Sequence, residues 1–205
     1  LAVPNDSIPE ARTLGEDRAF FRMSGDDAVR VLAGAGAEFG RDAENWFAPR
    51  NALEVDSRFR QIIPYVVLRC DGKFLTYTRG DAGGESRLHA KISMGFGGHV
   101  DIPDAVSGTD GFGLKDTLEN SVERELDEEI PGITILSREW AGLLLDNTND
   151  VGRVHVGLIG IFDIEAVPEK SGEAEIANLA LMSLEDLRGV KGRLENWSQV
   201  LIENL

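Results

Sequence analysis

Cysteine is nearly absent from this chain. Cys70 stands alone among 205 residues, so neither an internal disulfide nor a cysteine-built metal centre can form. A lone thiol suits a reducing compartment, and a cytoplasmic setting is expected. Positive charge is also short: 21 Lys+Arg face 36 Asp+Glu, a formal charge of -15. That field repels nucleic-acid backbone and anionic bilayer surfaces, which excludes a nucleic-acid polymer or a membrane as the expected partner. A small phosphorylated ligand needs only a local cluster of cations and remains allowed. No apolar run approaches the roughly 18 residues of a membrane span. The acid-bearing N-terminal stretch lacks the basic-then-apolar order of a signal peptide, and the first residue is Leu1 rather than Met. Internal repeats and low-complexity tracts are missing as well.

What is present suffices for one core, with 42% of residues hydrophobic. Residues 1–45 mix short helical signals with loops and are expected to form an N-terminal extension packed on a domain of residues 46–205. Within the extension, Ser24 followed by Asp26 and Asp27 marks a helix start. In "RQIIPYVVLRCDGKFLTYTRG", two β-branched and aromatic runs flank Asp71-Gly72, which predicts a hairpin. "KISMGFGGHV" reads as a strand ending in a glycine-rich turn, and residues 101–113 as a Gly/Asp/Pro loop. "ITILSREWAGLLLDN" and "VGRVHVGLIGIFDIEA" read as strands, "PEKSGEAEIAN" as an acidic loop, and "SLEDLRGV" and "ENWSQVLIENL" as closing helices. Hairpins with interspersed helices and no strict βαβ alternation indicate an α/β (α+β) class, with helices packed on a mixed sheet.

The chemistry concentrates in "LKDTLENSVERELDEEIPGI", Leu114 to Ile133. Asp116 and Glu119 are spaced as an N-terminal capping pair, and Pro131-Gly132 ends the helix. At about 100° per residue, Leu118, Val122 and Leu126 form an apolar stripe, while Glu123, Asp127 and Asn120 lie opposite. Glu125 and Glu129 fall beside the stripe, so they face inward or into a cleft. Two carboxylates roughly 6 Å apart repel by about 3 kcal/mol at an effective dielectric near 20. A positive partner is therefore expected, either arginines such as Arg124, Arg79 or Arg87, or a hard cation of the Mg²⁺ or Mn²⁺ kind.

The run Arg124, Glu125, Leu126, Glu128, Glu129, then Gly132 and Ile133, resembles the Nudix hydrolase signature. In that signature a glycine, five residues, a glutamate and seven residues precede REUxEExGU, where U is aliphatic. Gly97-Gly98 resembles the opening glycine pair, and Asp116 stands at the place of the first glutamate. The chain departs from the pattern by 17 residues between Gly98 and Asp116, and by one extra residue in "EEIPGI". From about Trp46 onward it is similar to a bacterial branch described as predicted phosphoesterases. The resemblance implies a mixed sheet sandwiched between helices and metal-dependent hydrolysis of a nucleoside-diphosphate-linked compound. It also implies that Glu125, Glu128, Glu129 and the Gly98 carbonyl bind metal, with Arg124 holding the unit in shape. The general base is Glu125 or a residue of the late acidic loop, Glu173 or Glu175.

Arg79 and Arg87 are candidates for holding substrate phosphate. His99 and Cys70 read as packed structural residues, and Trp46, Trp140 and Trp197 as core, with base stacking an alternative for Trp140. A non-catalytic nucleotide-sensing module on the same fold is the competing reading, and a homodimer is compatible with either. An isoprenyl diphosphate isomerase would need an acid-base cysteine, for which Cys70 on an early strand is poorly placed. Specificity is expected in residues 1–60, 101–113 and 165–178.

Overall fold

The structure is a computed structural model that describes residues 1–79, 91–109, 111–174 and 176–205. The chain opens with strand β1 (Ala2–Pro4), helix α1 (Pro9–Leu14), strand β2 (Arg18–Arg22) and helix α2 (Gly25–Ala35). After the short helix α3 (Arg50–Leu53) come strands β3 (Phe59–Cys70), β4 (Lys73–Arg79), β5 (Ile92–Ser93) and β6 (Gly95–Phe96). A ribbon of β7 (Ser107–Gly108) and β8 (Gly111–Phe112) leads into α4 (Leu114–Glu129). Strand β9 (Ile135–Asp146), helix α5 (Asp150–Arg153) and strands β10 (His155–Ile164) and β11 (Ile176–Met182) follow, then helices α6 (Leu184–Gly189) and α7 (Asn196–Leu201). Hydrogen bonds join nine strands into one mixed sheet with the main order β11-β4-β3-β10-β9-β2, while β1 and β6 also pair with β3 and β5 with β4. The class is the α+β one that the hairpin and helix signals indicated. No helix among the described residues is long and apolar enough to cross a membrane.

Two compact units are distinguished along the chain. The first comprises Leu1–Pro64, Gly98–Glu123 and Trp140–Ile159. Its core gathers Val3, Ile8, Leu32, Ile62, Leu118, Leu143, Leu145 and Val156. Helix α2 forms as its sequence requires: Ser24 Oγ accepts from Asp27 N–H, and Ala28, Leu32 and Ala35 are buried at helical spacing. Residues 1–45 lie wholly in this unit, with β1 antiparallel to β3 and β2 antiparallel to β9. Arg60 is buried in it, its Nε donating to Asn5 Oδ1 at 2.6 Å and its Nη1 to the carbonyls of Gly152 and His155 at 2.9 and 2.8 Å.

Residues 101–113 were expected as a loop and instead carry local structure. Asp101 and Asp104 form a reciprocal capping box around a 3-10 turn, Asp104 is buried, and Phe112 packs 5.1 Å from the Trp46 ring. Helix α4 also begins earlier than the capping pair suggested. Thr117 N–H bonds to the Gly113 carbonyl, so Asp116 is a first-turn acid facing the helix dipole rather than the cap.

The second unit comprises Tyr65–Gly97, Arg124–Glu139 and Gly160–Leu205. Its hairpin turns at Asp71 and Gly72, with φ of 48° and 74°, and places Cys70 opposite Lys73. Strand β11, whose first three residues are the end of the expected acidic loop and whose remainder carries no sequence assignment, lies antiparallel on β4 from Ile176 opposite Arg79 to Met182 opposite Phe74. Ser183 and Asp186 form the capping box of α6 that their spacing predicted.

Candidate active site

The site lies in the second unit, where the end of β6, the C-terminal half of α4 and the loop before β11 supply its polar groups. Gly97 has a φ of 126°, a backbone region that a side chain would strain by about 1–3 kcal/mol. That turn aims the Gly97 N–H at Glu129 Oε2, 2.8 Å away. The glycine pair and the acidic helix are thus bonded through main chain to carboxylate. Gly98 follows along the chain and is half-buried; it belongs to the first unit.

The acids of α4 separate as their helical phase requires. Glu123 and Asp127 are exposed, whereas the Glu129 residue is only 8% exposed. The Glu125 side chain is 16% exposed and that of Glu128 50%, and Arg124 Nη1 bonds both, at 2.9 and 3.2 Å. Arg124 therefore neutralises part of the helix's own charge. Burial raises the Glu125 pKa above its ordinary value against the opposing pull of Arg124, and the charges of Glu128 and Glu173 raise it further. Glu129 is pushed up to about 8, first by burial and then by Glu125 and Glu173, with the Gly97 N–H and Arg79 opposing.

Glu173 joins this group by a contact that spacing along the sequence does not reveal. Gly172 N–H donates to the Glu129 carbonyl at 2.8 Å, and a Cβ on Gly172 would stand 1.9 Å from the Glu128 carbonyl oxygen. Only glycine allows the late loop this approach, which brings the exposed Glu173 within electrostatic range of both inward glutamates. Arg79 is the nearby cation: its side chain is 32% exposed, its Nε lies 3.5 Å from Glu195 Oε2, and its charge acts on Glu129. Arg87 and Glu175 fall outside the described residues.

His99, Trp140 and Cys70 are each engaged with other protein groups. Burial, followed by Arg50 and His155, pushes the His99 pKa down to about 3, so the ring is neutral. His99 Nε2 lies 3.2 Å from His155 Nε2, and His155 Nδ1 lies 2.7 Å from the Val151 carbonyl oxygen. Trp140 packs against the first unit's core and donates to Glu119 at 2.7 Å. Cys70 is buried, with its Sγ 3.8 Å from the Glu165 carbonyl oxygen.

A divalent cation is tested by this donor set. Glu125, Glu128, Glu129 and Glu173 offer hard oxygens, and two of them carry raised pKa values that a positive charge would relieve. Among the described residues no three His, Cys, Asp or Glu side chains are grouped so as to hold a metal ion, so these acids supply suitable donor chemistry without a formed cage.

No family model matches the chain. Protein YmaB of Bacillus subtilis is 36% identical over 163 residues, 76% of each chain. The crystal structure of Tm1382, described as "a putative Nudix hydrolase", superposes with a TM-score of 0.75 at 25% identity, covering 99% of this chain and 95% of that one. A bifunctional NMN adenylyltransferase/ADP-ribose pyrophosphatase from Francisella tularensis shares the fold, with a TM-score of 0.50 at 14% identity over 71% of this chain and 40% of that chain. The chain belongs to the Nudix hydrolase superfamily: it shares the fold of Tm1382 over nearly its whole length and is related in sequence to YmaB.

Proposed function

We propose that this protein hydrolyses a phosphoanhydride bond in a small nucleoside-diphosphate-linked compound, with Mg²⁺ or Mn²⁺ held by Glu125, Glu128 and Glu129. The observation that carries this reading is Glu129. It is a buried carboxylate with two acidic neighbours, fixed by a main-chain N–H, and it makes no formed salt bridge among the described residues. A glutamate serving only as a structural ion-pair partner would be matched by an arginine at contact distance; this one is held in place but left under-compensated. The bound cation would neutralise phosphate oxygens and lower the pKa of a water.

The chain's own groups divide the remaining work. Gly97 N–H orients Glu129, and Arg124 ties Glu125 to Glu128 so that both keep one rotamer. Glu125, with its raised pKa, or Glu173 accepts the proton of the attacking water. Arg79 offers a partly exposed guanidinium to a phosphate group. The test is a screen of nucleoside diphosphate sugars, ADP-ribose, dinucleoside polyphosphates, coenzyme A and nucleoside triphosphates with either metal. Metal-dependent turnover of one class that Glu125→Gln abolishes is the expected result. Tight binding of a nucleotide with no turnover of any would refute the enzyme and leave a sensor.

A further inference from the structure

Glu195 is the N-cap residue of α7, yet its side chain makes no cap bond to that helix. The side chain turns inward and is 8% exposed. Its Oε1 accepts from Tyr65 Oη and from Ser93 Oγ, each at 2.6 Å, with Ser198 Oγ at 3.4 Å. These donors fix one carboxylate oxygen and leave Oε2 facing Arg79. The Arg79 Nε at 3.5 Å is buried and has no formed hydrogen bond, and its guanidinium carbon lies 5.7 Å from the centre of the Tyr77 ring. Burying a carboxylate is costly unless it is matched. Here the matching cation also acts on Glu129. The 3.5 Å approach of Glu195 Oε2 is the ionic contact formed by Arg79 among the described residues.

We propose that Glu195 is a positioning residue: anchored by Tyr65 and Ser93, it fixes the place of the Arg79 side chain, so that the guanidinium stays available to a substrate phosphate. Without that partner the guanidinium loses its fixed place, and the site loses an oriented phosphate ligand. The inference rests on the reading of Arg79 as a phosphate-binding residue.

The test is a double-mutant cycle read by calorimetry, with inorganic pyrophosphate and Mg²⁺ as the probe. Arg79→Gln should weaken binding by about tenfold. Glu195→Gln retains an oxygen for Tyr65 and Ser93 and should weaken it severalfold with little change in melting temperature. The double variant should be no weaker than Arg79→Gln alone, because a residue acting through Arg79 has nothing left to act on. Tyr65→Phe, which removes one anchor of Glu195 without touching Arg79, should shift binding in the same direction by less, and it carries the test if Glu195→Gln does not fold. Additive effects, or a Glu195→Gln protein that binds as wild type while Arg79→Gln does not, would overturn the positioning role and leave the reading of Arg79 standing. A wild type that does not bind pyrophosphate, or an Arg79→Gln protein that binds it normally, would overturn both.

Discussion

Glu129→Gln should raise the stability of the metal-free protein, by an amount that depends on pH. The Glu129 carboxyl goes from about 4.5 in the unfolded chain to about 8 when folded, driven first by burial. A raised acid pKa makes the ionised form unfavourable in the folded state. The penalty is absent below pH 4.5, grows as pH rises and is complete above pH 8. At about 1.36 kcal/mol for each pH step it reaches about 3 kcal/mol at pH 7 and about 5 kcal/mol above pH 8. Glutamine keeps an oxygen for the Gly97 N–H and carries no charge to bury, so it escapes the whole term. For a chain of this size about 3 kcal/mol corresponds to a rise of about 6–12 °C in Tm. Thermal melts of both proteins in EDTA should coincide near pH 4.5 and diverge steadily to pH 8.5. Excess Mg²⁺ should then close the gap from the wild-type side, by about 2.7 kcal/mol at a hundredfold excess over Kd. A Glu129→Gln protein that melts below wild type in EDTA at pH 8 would show that the carboxylate is matched by a partner, and the under-compensated site would be refuted.

Two substitutions test the supports of the fold and the site separately. Arg60→Lys loses the planar fork that reaches Asn5, Gly152 and His155 and leaves buried acceptors unmet, so urea unfolding should show a loss of about 3–5 kcal/mol, with kcat of the folded protein unchanged. Gly172→Ala drives a methyl into the Glu128 carbonyl and should push the late loop away from α4; turnover should fall and the Mg²⁺ concentration for half-activation should change, whereas an active variant with wild-type metal response would remove Glu173 from the site.

The parts of this architecture that were legible in the sequence are those fixed by local periodicity or turn chemistry. The hairpin at Asp71-Gly72 and the caps at Ser24 and Ser183 depend on residues a few positions apart, and their signals sufficed. The inward phase of Glu125 and Glu129 followed from 100° steps along one helix. Strand β11 was missed because "IANLALM" follows an acidic stretch and acquires its strand character by pairing with β4. Strands β1 and β2, of 3 and 5 residues, carry too little alternation to be read and exist through β3 and β9. The helix start was misplaced because an acid in the first turn imitates a cap, whereas the Gly113 carbonyl that accepts the Thr117 N–H has no side-chain signature. Gly172 and Glu195 act through close approach and burial, which no pattern along the chain encodes.

The density of acid on α4 becomes intelligible once each charge is assigned its own compensation. Glu123 and Asp127 are solvated, so water screens them. Glu125 and Glu128 share Arg124 from their own helix, a local remedy that leaves the pair oriented. Among the described residues Glu129 receives a main-chain N–H and the field of Arg79, and its neighbours Glu125 and Glu173 work against it. Stability alone would favour replacing such a group, since buried carboxylates without a contact partner are costly and an apolar residue of similar volume is often better tolerated. The same group also receives a strained glycine turn, a glycine that admits the late loop, and an arginine that is itself restrained by Glu195. These features converge on one carboxyl group whose ionisation the protein itself does not favour, as expected if the compensating charge arrives with a ligand.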